Sequence, residues 1–258
     1  MSKRTMTTTT TAILGALALA AAPAAFSTEI NVSGANGEAT LEDIFTDLVV
    51  SGDAPDVVAD QYAHDELWQH ANSGNASATM IIELAGFRNR NILGIYDSAN
   101  PDNYVTLFDG ADGSGARAGI SRSFNGNGYT YTIGDLDTYA LLGQIVTDSP
   151  YFGFFLLTPQ NNMFYSEASR NADGSDHMVA YQGSGQTIDL PTVGQVPWNE
   201  NGFVLAWEDL VASSWDYDYN DMVLMVESVT GVPEPASLLL LATGLAAFRF
   251  TRRRSASS

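Results

Sequence analysis

The sequence predicts a mostly β fold: a β-sandwich or jelly-roll-like domain with an N-terminal helical segment. Three observations carry that expectation. Beyond about residue 77, short runs of β-branched and aromatic residues alternate with clusters of Gly, Asn and Asp, the texture of short strands joined by frequent turns. Ahead of them, apolar residues recur at helical spacing. At each terminus an apolar stretch with basic residues stands apart from the body and is set aside from fold reasoning.

Taken in order, residues 1–27 read as a cleaved signal peptide. Lys3 and Arg4 are the basic start, Ala12 to Ala22 the apolar region, and small residues around Ala22-Pro23-Ala24 and Ala25-Phe26-Ser27 the cleavage sites. Residues 28–76 read as the helical segment. Leu41, Ile44, Phe45, Leu48 and Val49 form one apolar face, and Asp53-Ala54-Pro55 marks a second helix start. Val57, Val58, Tyr62 and Trp68 would line that second helix up to about Ala71.

Residues 77–231 form the β-rich domain. The expected strands are Ala78–Leu84, Ile92–Tyr96, Tyr104–Phe108, Tyr129–Ile133, Phe152–Leu157, Met178–Tyr181, Phe203–Trp207 and Met222–Val229. Residues 232–254 follow as Val232-Pro233-Glu234-Pro235, a thirteen-residue apolar run from Ala236 to Phe248, and Arg252, Arg253 and Arg254. This is the pattern of a C-terminal hydrophobic helix with its basic end on the cytoplasmic side.

The chain carries 11 basic and 30 acidic residues, a formal charge of −19. The two ends hold six of the basic residues and one of the acidic ones, so the body keeps five against 29, or −24. Such a surface excludes nucleic acid and anionic membrane as partners and suits surroundings rich in divalent cations. With no cysteine, disulfides, thiolate metal sites and cysteine nucleophiles are excluded.

The sharpest internal motif is Trp207-Glu208-Asp209 followed by Trp215-Asp216-Tyr217-Asp218-Tyr219-Asn220-Asp221 and the apolar run from Met222. Asp216, Asp218 and Asn220 alternate, so an extended backbone points their oxygens the same way. Asp209 and Asp221 stand close enough in sequence to complete a hard-oxygen set of the kind Ca²⁺ requires. An EF-hand is excluded, because Asp221 occupies the position of its turn glycine and a strand pattern follows. Two readings stand: a calcium loop in a β-domain, or a cluster of Asx turns.

Asp97, Asn100 and Asp102, the Asp109–Asp112 turn and Asp173-Gly174-Ser175-Asp176 are weaker acidic turns. Among the tryptophans, Trp207 is expected in the core. Trp198, after Pro197, is the better candidate for an exposed sugar-stacking surface. His64, His70 and His177 are scattered and do not suggest zinc. No nucleophile elbow or phosphate loop occurs.

The C-terminal residues Val232 to Pro235, the apolar stretch and the arginine tail resemble the PEP-CTERM sorting signal of Gram-negative bacteria; Arg249 shortens the apolar run relative to that pattern. The resemblance implies export through the Sec machinery, transient anchoring in the inner membrane and processing by an exosortase. The destination would be the cell surface or extracellular matrix. A second resemblance rests on Glu83 to Phe87, Asn91, Gly94 to Asp97, Leu107 to Gly110, Phe152 to Leu156, Tyr165 to Glu167, Arg170-Asn171, His177, Trp207 to Asp209 and Asp216 to Val223. These residues resemble a domain family of unknown function in exported bacterial proteins. That resemblance implies a β-rich, calcium-dependent surface module with no established activity. The expectation is a non-catalytic exported protein, Ca²⁺-stabilised, with extracellular polysaccharide or a surface component as partner. A polysaccharide-active hydrolase and a purely structural matrix protein are the alternatives.

Overall fold

The structure, a computed structural model, describes residues 30–34, 37–71, 74–83 and 90–233. The expected signal peptide, and Glu234, Pro235, the apolar anchor and Arg252 to Arg254, lie outside the described residues. Within them one α-helix, α1 (Leu41–Leu48), precedes sixteen strands. In chain order these are β1 (Val49–Ser51), β2 (Trp68–His70), β3 (Asn75–Glu83), β4 (Ile92–Asp97), β5 (Asn100–Phe108), β6 (Arg117–Phe124), β7 (Tyr129–Asp135), β8 (Leu141–Thr147), β9 (Phe152–Leu157), β10 (Met163–Tyr165), β11 (Met178–Gln182), β12 (Gln186–Leu190), β13 (Gly194–Trp198), β14 (Gly202–Trp207), β15 (Met222–Glu227) and β16 (Val229–Gly231). No helix among the described residues is long and apolar enough to cross a membrane.

A seven-stranded sheet, β11-β14-β15-β3-β6-β7-β8, faces a six-stranded sheet, β16-β2-β9-β4-β5 with β10 paired to β9. Between them lies the main core, which takes Phe203, Leu205 and Trp207 from β14, Met222, Leu224 and Val226 from β15, and Phe152, Phe154 and Leu156 from β9. The intervening residues Val204, Ala206, Val223 and Met225 point outward and are buried a second time, under α1 and a three-stranded sheet β1-β12-β13. Covered on both faces, β14 and β15 read as continuous apolar runs rather than alternating ones. The fold is the β-sandwich that the sequence predicts.

Helix α1 starts with a capping box. Thr40 Oγ1 accepts from the Asp43 amide at 3.1 Å, and Asp43 Oδ2 accepts from the Thr40 amide at 3.0 Å. Its buried face is Leu41, Ile44, Phe45 and Leu48, and Phe45 stacks on Trp198 with ring centroids 6.0 Å apart. The β-branched pair Val49-Val50 takes the chain into β1.

Three expectations are corrected. The second helix over 55–71 is a single turn: Asp56 Oδ1 accepts from the Val58 and Ala59 amides at 2.9 Å, and the chain then runs irregularly into β2. Trp68 decides this. It is fully buried against Phe154 and Phe203, and as a strand residue it reaches the space between the sheets. Residue 77 is not a boundary either, because it falls inside β3, and β2 belongs to the same sandwich. Finally, Met222–Val229 is two strands. Ser228, at φ 63°, breaks the run and passes the chain from the seven-stranded to the six-stranded sheet.

Candidate metal centre

The acidic motif closes the hairpin between β14 and β15, whose last paired residues are Trp207 and Met222. Neighbouring residues of an extended chain point to opposite sides. Asp209 therefore follows Trp207 toward the sandwich, where its Oδ2 accepts from Asn91 Nδ2 at 2.8 Å. The Asp209 amide donates to Asp221 Oδ2 at 2.7 Å, which clamps the neck of the loop. Glu208 follows Ala206 to the other side and is completely buried.

Beyond the neck the loop is curled, not extended. Tyr217 at φ 64° and Tyr219 at φ 49° occupy the left-handed region, and the Tyr219 hydroxyl donates to the Asp176 carbonyl at 2.6 Å. This curl brings Asp216 and Asp218 over Glu208. One oxygen from each of the three carboxylates lies within 4.8 Å of the other two. Oxygens on one coordination sphere of radius roughly 2.4 Å can be at most about 4.8 Å apart, so the three fit around a single hard cation.

Three buried oxygens sharpen the picture. Neither Oε of Glu208 has a hydrogen-bond partner among the described residues, nor does Oδ1 of Asn220, whose Nδ2 donates to the Ala39 carbonyl at 2.7 Å. A buried carboxylate without partners is costly unless it is neutral or faces a cation. Burial, and then the charges of Asp216 and Asp218, push the Glu208 carboxyl up to about 8. The Leu210 backbone amide opposes that rise. Burial, with Asp216 next, raises Asp218 to about 6. Asp221 is raised by burial and by its neighbour Asp209.

A family described as a domain of unknown function (DUF4114) matches residues 146–229, and the PEP-CTERM protein-sorting motif matches residues 231–254. The chain carries a DUF4114 domain and a PEP-CTERM motif. No curated protein matches the chain, and no solved structure does. The sorting motif marks an exported protein that is transiently membrane-anchored and processed by an exosortase. The DUF4114 region includes β9 through β15 and the whole acidic loop, whereas α1 and β1 through β7 precede it. The PEP-CTERM motif begins where the sandwich ends. Gly231 closes β16, the Val232 amide donates to the Leu67 carbonyl at 2.8 Å, and Pro233 is exposed.

Of the five candidate ligands in the sequence, Asp216 and Asp218 converge with Glu208, and Asn220 lies beside Asp218. Asp209 spends an oxygen on Asn91, and Asp221 spends one on the Asp209 amide at the loop neck. Glu208 is the residue sequence reasoning passed over. Its signal was strand parity: counted outward from Ala206, it falls on the side of the loop acids.

In the weaker acidic segments most carboxylates are spent on backbone amides, and Asn100 and Asp102 lie in β5. Asp97 accepts from the Ala99 amide at 2.9 Å, and Asp109 and Asp112 bond amides of their own turn. Asp173 accepts from the Ser175 and Ala212 amides and faces Nε2 of His177 at 3.1 Å. The Nδ1 of His177 faces the Glu208 carbonyl at 3.1 Å, and its ring stacks on Phe164 at 3.7 Å. His177 thus braces the backbone beneath Glu208. Trp198 is corrected from exposed to fully buried: its ring lies on Phe45, and its Nε1 donates to the Gly202 carbonyl. Trp68 and Trp207 are also fully buried, so none of these three offers a stacking platform.

Proposed function

We propose that this protein is an exported, non-catalytic surface module whose outer loop is held by Ca²⁺, with Glu208, Asp216, Asp218 and Asn220 as side-chain ligands. The observation that carries the reading is the buried, partnerless Glu208 carboxylate beneath two more carboxylates. An all-oxygen donor set favours a hard cation, and the affinity range of extracellular modules, roughly 10⁻⁴ to 10⁻³ M, is the expected one. The same burial argues against hydrolysis, because a glycosidic oxygen cannot approach a general acid that is wholly enclosed.

The test is titration of the mature protein, recovered from producing cells and stripped with chelator, by calorimetry and thermal melting. Saturable heat and a rise in melting temperature near millimolar Ca²⁺ are expected. Absence of both removes the cation.

For the partner we retain extracellular polysaccharide, at the cell surface or in the matrix. A cavity of about 450 Å³ supports this choice; its lining includes Asp53, Asp60, Tyr62, His64, Gln182 and Gln186, groups suited to sugar hydroxyls. Binding of the producer's exopolysaccharide that weakens in His64→Ala and Gln182→Ala is expected. Equal retention by both variants rejects this cavity.

A further inference from the structure

The acidic loop is also the surface on which the start of the described chain rests. The Ser33 amide donates to the Tyr217 carbonyl at 2.7 Å. Gly34, at φ +150°, lies so close that a Cβ there would stand 2.7 Å from Asp218 Cβ and 2.9 Å from the Asp216 carbonyl oxygen. Asn220 Nδ2 holds the Ala39 carbonyl at 2.7 Å. Val32 packs into the outer core together with Tyr219. The charge of Glu38 is felt at Asp218. Tyr217, Asp218 and Asn220 therefore each present one side to the chain at 30–34 and 37–40, while the carboxylates of Asp216 and Asp218 meet Glu208.

We propose that the cation is a lock on this strap: ion binding at Glu208, Asp216 and Asp218 fixes the loop shape that residues 30–34 and 39 require. The inference rests on the Ca²⁺ reading above. Without the ion, three carboxylates within 4.8 Å of one another repel in a water-poor site, and the loop relaxes outward. The strap then loses the Tyr217 carbonyl, the Asp218 surface and the Asn220 amide together. With the ion, the curl is held and the strap seats. An exported chain would thus complete its outer layer only on reaching millimolar Ca²⁺. Linkage makes the coupling reciprocal, so whatever unseats the strap must weaken the ion by the same factor.

The experiment uses the mature exported protein and Gly34→Ala. Backbone hydrogen exchange at Ile30 to Gly34 is followed in chelator and in Ca²⁺, and Ca²⁺ affinity is measured by calorimetry in parallel. We expect Ca²⁺ to slow exchange in the strap about tenfold or more, and Gly34→Ala to bind Ca²⁺ about tenfold more weakly with its sandwich amides still protected. Normal heat of binding with unchanged strap exchange overturns the lock and leaves the cation site standing. Absence of binding heat overturns the site and the lock with it. Unaltered affinity in a folded Gly34→Ala also overturns the lock. If that variant does not fold, exchange in the wild-type protein decides alone.

Discussion

The side-chain amide of Asn220 donates to the carbonyl of Ala39 across 181 positions of sequence, at 2.7 Å. The bond ties the acidic loop at the end of the β14–β15 hairpin to the residue just ahead of the helix cap at Thr40. It also fixes which way the amide faces, leaving Oδ1 of Asn220 for another partner. The loop, the strap and the helix are therefore one mechanical unit.

Glu208→Gln should act in opposite directions with and without Ca²⁺. Above about pH 8, where Glu208 is ionised, removing a buried charge that has no partner stabilises the chelated protein, so its melting temperature should rise by a few degrees. Losing a carboxylate ligand should weaken Ca²⁺ about tenfold or more. Melting curves of both proteins in chelator and in Ca²⁺ check this. A variant less stable than wild type in chelator would contradict it.

The pH response should also reverse. Glu208 rises from 4.5 to about 8, and Asp218 and Asp209 rise from 3.8 to about 6. Groups with raised pKa values bind more protons folded than unfolded, so the stability they confer is complete below about pH 4 and is lost as pH climbs to about 8. In chelator the melting temperature should fall between pH 5 and pH 8. In millimolar Ca²⁺ it should hold or rise over the same range, because the ion needs the ionised carboxylates. Parallel falls in both conditions would mean that no ion is held.

Phe45→Ala should destabilise the protein by about 3–5 kcal/mol, since it empties a fully buried position against Trp198 and Tyr181. Denaturant unfolding measures it. A loss below about 1 kcal/mol would show that α1 is not part of the cooperative unit.

Replacing Pro233 and Glu234 by alanine should leave the protein unprocessed, because the exposed Pro233 presents the sorting motif immediately beyond β16. Immunoblots of membrane and released fractions should show the longer form accumulating in the membrane. Normal release would contradict recognition at this motif.

The β texture, α1, the sorting motif and the acidic motif were legible because each is written in neighbouring residues. The capping box from Thr40 to Asp43, the alternation at Asp216, Asp218 and Asn220, and the order of parts after Gly231 need no partner from elsewhere. β6 and β8 were not legible. Arg117–Phe124 and Leu141–Thr147 are broken by glycine and polar residues, and their pairing with β7 makes them strands.

What the sequence alone determined was the class of fold, the acidity and the route out of the cell, all properties of composition and local order. The tertiary structure decided which residues are inside. It drew Trp68 into a strand by the space between two sheets and Trp198 under α1. It turned Glu208 inward beneath acids that follow it by eight and ten positions. Burial depends on what the rest of the chain places on the other side of a residue, and for Asn220 that is Ala39, nearly the whole sandwich away in sequence.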